Sequence, residues 1–302
     1  MIKGGRNMAI VVGAYNRKGG IGKTSSIINI SAELALQGKR VLLVDGDSSM
    51  NLTQFFFENE GEEIFEEDSE REAVFDQEGL IKEGVDTLYN LLEEDLNTYN
   101  VIKKVKFTSR RRWNNKFRKL SCELDMILGT EDMDYYNCFD TSLLKKKLDI
   151  VSDMYDYIMI DFPPDNSLLT MMFLVACDYL ICPLHLAKNS SMKGYRNILR
   201  RVAEAREEYG NTRLNVLGIF YIGTQIYKND QKFLYDFTVN DEETRESMRL
   251  FQTTIRYDYS SIQLSENEKK PLCICCGSSE VAKDYKEFVK EMERKIEEER
   301  GN

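Results

Sequence analysis

The chain of 302 residues is predicted to be α/β, with a mostly parallel sheet covered by helices on both faces. Three observations carry that prediction. Short apolar runs alternate with helical patterns along the chain, the first run passes through a glycine-rich turn into an amphipathic stretch, and two of the runs end in aspartate, at Asp45 and Asp161. In chain order, the apolar runs place strands at Ala9–Tyr15, Arg40–Asp45, Leu120–Leu128, Tyr157–Asp161, Tyr179–Pro183 and Asn215–Ile222. Helical periodicity falls at Lys23–Gln37, Val85–Glu94, Thr141–Met154, Ser191–Tyr209 and Val281–Glu299. In the last of these, Val281, Tyr285, Phe288, Val289, Met292 and Ile296 make an apolar stripe expected to pack on the sheet. No internal repeat is visible, and one domain over 1–302 is expected.

Composition narrows the class. With 42% hydrophobic and 30% charged residues the chain can bury a large core, and its formal charge is −10. No apolar run approaches the ~18 residues of a membrane span, and the N-terminus has no signal-like apolar segment, so a cytoplasmic protein is expected. The seven cysteines read as reduced thiols. Cys273, Cys275 and Cys276 cluster, but with His185 the only histidine they are expected to be buried thiols at a strand end, not a metal site. An acidic segment at about 57–78, containing Glu58, Glu60, Glu62 and Glu63, looks like an insertion exposed to solvent. Met1 to Asn7 read as a tail, and Met8 would serve equally as a start.

The turn Arg17-Lys18-Gly19-Gly20-Ile21-Gly22-Lys23-Thr24-Ser25 sits between strand and helix, where backbone N–H groups and the positive end of the helix dipole hold phosphate oxygens. Gly19, Gly20, Ile21, Gly22 and Ser25 would cradle the phosphates, Lys23 would reach the β/γ-phosphates and Thr24 would ligate magnesium. The strict spacing G-x-x-x-x-G-K-[ST] fails, because its first glycine falls at Arg17. What matches is K-G-G-x-G-K-[ST], with Lys18 as a second lysine. Asp45 and Asp47, two residues apart at a strand end, would share a face beside this loop. One of them can hold magnesium through water and the other orient the attacking water.

With these blocks the chain resembles the deviant Walker A ATPases, a P-loop NTPase group, and within it the ParA partition proteins. Val41 to Thr53 is similar to V-L-L-I-D-x-D-P-Q-G-N-x-T, Tyr155 to Pro164 to the Walker B strand Y-D-x-x-x-I-D-x-P-P, and Leu264-Ser265-Glu266 with Pro271 to a late L-S-E…P segment. The resemblance implies ATP and Mg²⁺ as ligands, Asp47 as the catalytic carboxylate, Asp45 and Asp161 in the magnesium shell, and Lys18 reaching across an ATP-dependent homodimer. It further implies non-specific DNA binding and a centromere-binding ParB-like partner, with no N-terminal helix-turn-helix domain. Two departures bear on rate and switching: Ser48, Ser49 and Met50 replace Pro, Gln and Gly, and Asp165-Asn166-Ser167 replaces a Ser/Gly turn.

With an acidic total, DNA binding would need a local basic patch. Lys193, Arg196 and Arg200 share a helical face, joined downstream by Lys228 and Lys232, and Arg256 is the basic residue left in the segment similar to P-R-N-V-R. A second basic stretch runs from Lys103 to Lys119 through Arg110, Arg111 and Arg112, with Phe107, Trp113 and Phe117 interleaved. It reads either as a nucleic-acid surface or as a solvated connection. Alternatives to a partition ATPase are a MinD-like positioning ATPase, opposed by the acidic end Glu297-Glu298-Glu299, and a non-catalytic nucleotide-gated adaptor.

Overall fold

Apart from the half-buried Ile10, strands β1 (Ile10–Ala14), β2 (Val41–Asp45) and β5 (Tyr157–Asp161) are buried along their length, as expected of parallel strands covered on both faces. The computed structural model describes residues 8–57, 74–75, 81–94, 96–113, 116–165, 167–185, 192–224 and 249–301, as backbone alone at 109–113, 116–119, 192–194 and 224. With β3 (Ile102–Trp113), β4 (Lys116–Ile127), β6 (Tyr179–His185), β7 (Asn215–Thr224) and β8 (Ile255–Arg256) they form one sheet of order β3-β4-β2-β5-β1-β6-β7-β8. Every pairing is parallel except β3 with β4.

Alternation sorts each strand's residues into two apolar layers. Leu42, Val44, Ile158 and Ile160 pack with helices α4 (Leu143–Asp149), α5 (Leu168–Ala176) and α6 (Met192–Glu207). Val12, Ala14, Leu43 and Met159 pack with α1 (Lys23–Leu36) and the long C-terminal helix (Glu280–Gly301). The apolar stripe of that last helix is buried, as its spacing predicted. β1 sits between β5 and β6, so the connections after β1 and after β5 diverge to opposite sides, opening a crevice at the carboxyl ends of these strands.

The helices Lys23–Gln37, Ser191–Tyr209 and Val281–Glu299 stand within two residues of their predicted ends. The stretch Thr141–Met154 divides into α4 and a 3₁₀ turn at Ser152–Met154, and Val85–Glu94 shortens to α3 (Leu88–Glu93). Not predicted were β3, β8, α2 (Asn51–Phe57), α5, α7 (Tyr259–Glu268) and α8 (Leu272–Cys275); the C-terminal helix is α9. The cysteine cluster lies on α8 and its C-cap, not at a strand end: Cys273 is buried, while Cys275 and Cys276 are half-buried with their sulfurs 3.2 Å apart. All seven cysteines are free. The acidic segment falls mostly outside the described residues; Phe57 and Val74 on either side of it are buried.

Gly46, directly after β2, permits a close approach on which the site depends. A Cβ there would lie 2.5 Å from Phe173 Cζ and 2.9 Å from the Asp161 carbonyl oxygen. Gly46→Ala is therefore expected to destabilise the fold by about 1–3 kcal/mol through overpacking, read as a lowered urea midpoint.

Candidate functional site

The glycine-rich turn bends around two left-handed residues, Gly20 at φ 64° and Gly22 at φ 87°, the second being the N-cap of α1. No side chain caps α1, so its first N–H groups face the crevice without a side-chain acceptor. Asn16 shapes the entry to the turn: its Nδ2 donates to the Pro183 carbonyl at 2.9 Å and its Oδ1 accepts from the Lys18 N–H at 3.0 Å. Lys18 lies on the exposed part of the loop, whereas Lys23 is 6% exposed. Burial lowers the Lys23 pKa from its ordinary value, opposed by the charges of Asp161 and Asp47.

The three acids take different surroundings. Asp161 is fully buried and its Oδ2 accepts from the Thr24 hydroxyl at 2.6 Å, while its Oδ1 is buried with no hydrogen-bond partner. Burial, and next the neighbouring Asp45 carboxylate, push its pKa up to about 8. Asp45 pairs with Asp161 in register across β2 and β5. Its pKa is pushed up to about 6, again mainly by burial. Asp47 lies past the end of β2, and its Oδ1 accepts from the Ser49 N–H at 3.0 Å and the Ser49 hydroxyl at 2.7 Å.

The two aspartates after Val44 thus do not share one face toward the loop. Asp45 Oδ2 accepts from both the N–H (2.8 Å) and the hydroxyl (2.7 Å) of Thr53, and its Oδ1 from the Asp47 N–H at 3.3 Å. The Thr53 hydroxyl in turn accepts from the Gly129 N–H at 2.8 Å. Asp45 therefore ties α2 and the end of β4 to β2, and Asp47 alone of the pair lines the cleft. Sequence reasoning missed Thr53 and Asn16, whose further partners Gly129 and Pro183 are distant in the chain. Met50, standing where the resembled pattern has glycine, adopts φ 53°, a left-handed conformation that accounts for glycine at that position.

These elements border a cleft of about 1280 Å³ lined by Gly19 to Ser25, Asp47, Ser49, Pro163, Pro164 and, on its far wall, Leu272 and Tyr285. Asp45 and Asp161 stand just behind this lining. Among the described residues, no group of three or more His, Cys, Asp or Glu could hold a metal on its own. Of the basic residues expected to meet DNA, Arg196 and Arg200 are exposed on α6. Arg256 donates to Asp284 at 2.6 and 2.7 Å and to Glu280 at 2.8 Å, so its charge is already matched. Lys228, Lys232 and the side chain of Lys193 lie outside the described residues.

A family described as AAA domain (AAA_31) matches residues 9–216. The sporulation initiation inhibitor protein Soj of Bacillus subtilis is 26% identical over 296 residues, spanning 94% of this chain and 98% of Soj. The chromosome-partitioning ATPase Soj of Treponema pallidum is 28% identical over 286 residues, spanning 91% of this chain and 94% of that protein. Among solved structures, a putative plasmid partition protein of Borrelia burgdorferi bound to AMPPNP shares the fold with a TM-score of 0.67 at 20% identity, over 96% of this chain and all of that one. Cobyrinic acid a,c-diamide synthase of Mycobacterium smegmatis with ADP and magnesium gives 0.66 at 20% identity, over 96% of each chain.

Proposed function

The chain belongs to the AAA domain family AAA_31 as a ParA-type ATPase, and from that premise we propose that it segregates DNA, plasmid or chromosome, as a nucleotide-gated dimer. ATP binding closes two copies face to face, the closed dimer holds DNA without sequence preference, and hydrolysis stimulated by a centromere-binding ParB-like protein releases it. The observation that carries this reading is the pairing of a buried lysine, Lys23, with an exposed one, Lys18, on a loop that ends at an uncapped helix N-terminus. In this reading Lys23 serves the chain's own nucleotide and Lys18 a partner's. Reading the chain as a single ATPase unit is supported by one sheet that takes strands from Ile10 to Arg256 and by α9 packing back against α1.

Magnesium fits the residues present. The buried Asp161 Oδ1 without a partner, behind the Thr24 hydroxyl, is an acceptor that a water-mediated cation contact would satisfy, and the shortage of protein ligands suits a metal held partly by substrate phosphates. When bound it neutralises charge between the β- and γ-phosphates. Lys23 and the N–H groups of Gly20 to Thr24 hold the phosphates in line, Asp47 at the cleft wall orients the attacking water, and Asp45 keeps the segment carrying Asp47 in place through Thr53.

A MinD-like membrane role is disfavoured by the burial of the apolar face of α9, and among the described residues no helix is long and apolar enough to cross a membrane. The function is tested by ATP turnover with and without duplex DNA and a ParB-like partner: stimulation by both is expected, and DNA-indifferent turnover contradicts the segregation role. Lys18→Ala is expected to bind ATP as a monomer but to lose ATP-dependent dimerisation in sedimentation velocity, because the loop's own phosphate contacts persist while the cross-contact goes.

A further inference from the structure

The β3–β4 ribbon combines an extended shape with an unbalanced charge. β4 pairs with β2 only from Asp125 to Ile127, so the part of β4 preceding Asp125 continues past β2 with β3 as its sole strand partner among the described residues. At its base, charge is matched: Lys106 pairs with Glu123 at 2.9 Å, and Asp125 accepts from the Tyr155 hydroxyl at 2.7 Å. From Thr108 to Ser121, however, there are six cations and no carboxylate. The register sets Arg110 opposite Lys119 and Arg111 opposite Arg118, with Arg112 beside Phe117 and Trp113 beside Lys116. Like charges placed directly across a ladder destabilise it. A lone basic edge would guard against strand pairing, but that purpose does not call for cations at paired positions of both strands.

We propose that this ribbon is a DNA-binding arm that engages backbone phosphates of duplex DNA. This rests on the DNA-holding role proposed above and names the surface that performs it. A two-stranded ribbon is an element that the major groove, about 12 Å wide, admits, and phosphates on either wall would neutralise cations placed at paired register positions. The arm also answers how a chain of charge −10 holds a polyanion, since the basic residue in the C-terminal segment, Arg256, is occupied by Asp284 and Glu280. Contact through phosphates positions without reading sequence.

The test is fluorescence anisotropy with a mixed-sequence 40-base-pair duplex and ATP with Mg²⁺ across a salt series, on wild type and three variants. The triple change Arg110→Gln, Arg111→Gln, Arg112→Gln should weaken binding more than about 10-fold at 100 mM salt and reduce the slope of log affinity against log salt by about 3. The matching triple change to Lys should keep both values near wild type, since a point charge suffices for phosphate. ATP affinity should stay unchanged in all of them. If wild type binds and the Gln variant keeps its affinity and slope, the arm is overturned while DNA holding stands, and Arg196→Gln with Arg200→Gln should then show the loss. If wild type fails to bind even at low salt, the DNA-holding role itself falls, and the arm with it.

Discussion

Lys23→Ala should weaken ATP binding by at least about 30-fold, to the point of loss at ordinary titration concentrations, while the chain stays folded. Its ammonium is desolvated at the uncapped start of α1 with Asp161 and Asp47 as its neighbouring charges, so it is a fixed counter-charge for the phosphates. Truncating one partner of such a buried charge contact costs on the order of 2–5 kcal/mol, which at 1.4 kcal/mol per decade is about 30-fold to several thousand-fold in Kd. Removing the lysine also removes a desolvated charge, so the unfolding midpoint is expected to hold. Calorimetric titration with ATP and Mg²⁺ reads the effect, and an unchanged Kd would reject the phosphate-loop assignment.

The second large effect is expected at Asp47. Asp47→Ala should leave ATP affinity within a few-fold of wild type yet lower turnover by about 10²- to 10⁴-fold, the usual weight of a positioned base or water-orienting group. The reason is geometric. Asp47 lines the cleft and is presented by Ser49, whereas Asp45 is held by Thr53, and Asp161 stands behind the lining beside Thr24 with only its Oδ1 left for a cation contact. An ATP-bound dimer should accumulate. Turnover at the wild-type rate would dismiss Asp47, and the burial of Asp45 leaves it a poor substitute.

How much of this was legible depended on whether the signal was local. The glycine-rich turn, the strands ending at Asp45 and Asp161, and the buried stripe of α9 each lie in one contiguous pattern, and each stands where its pattern put it. Helix α5 was missed because Leu168 to Ala176 is apolar nearly all round and eight of its nine residues are buried, which leaves no polar face to reveal a helical period. Strand β3 was hidden by its charge. Val105 and Phe107 alternate inward, but the lysines and arginines around them read as a surface stretch until pairing with β4 supplied the register.

The roles of the aspartates were harder to read. Strand alternation predicts a shared face for Asp45 and Asp47, but β2 ends at Asp45, and the chain turns at Ser48–Ser49 directly after Asp47. Thr53, eight residues on, captures Asp45 by a contact that no spacing rule announces. The same holds for Arg256, whose partners Asp284 and Glu280 come from α9. Long-range polar contacts decide which charged residues are free to act, and only the fold reveals them.

Nucleotide-gated dimerisation is read out by sedimentation velocity of the wild-type chain in ATP with Mg²⁺, in ADP with Mg²⁺ and without nucleotide. The account predicts a dimer in ATP alone and a monomer in the other two conditions. A single sedimenting species of the same mass in all three would contradict it.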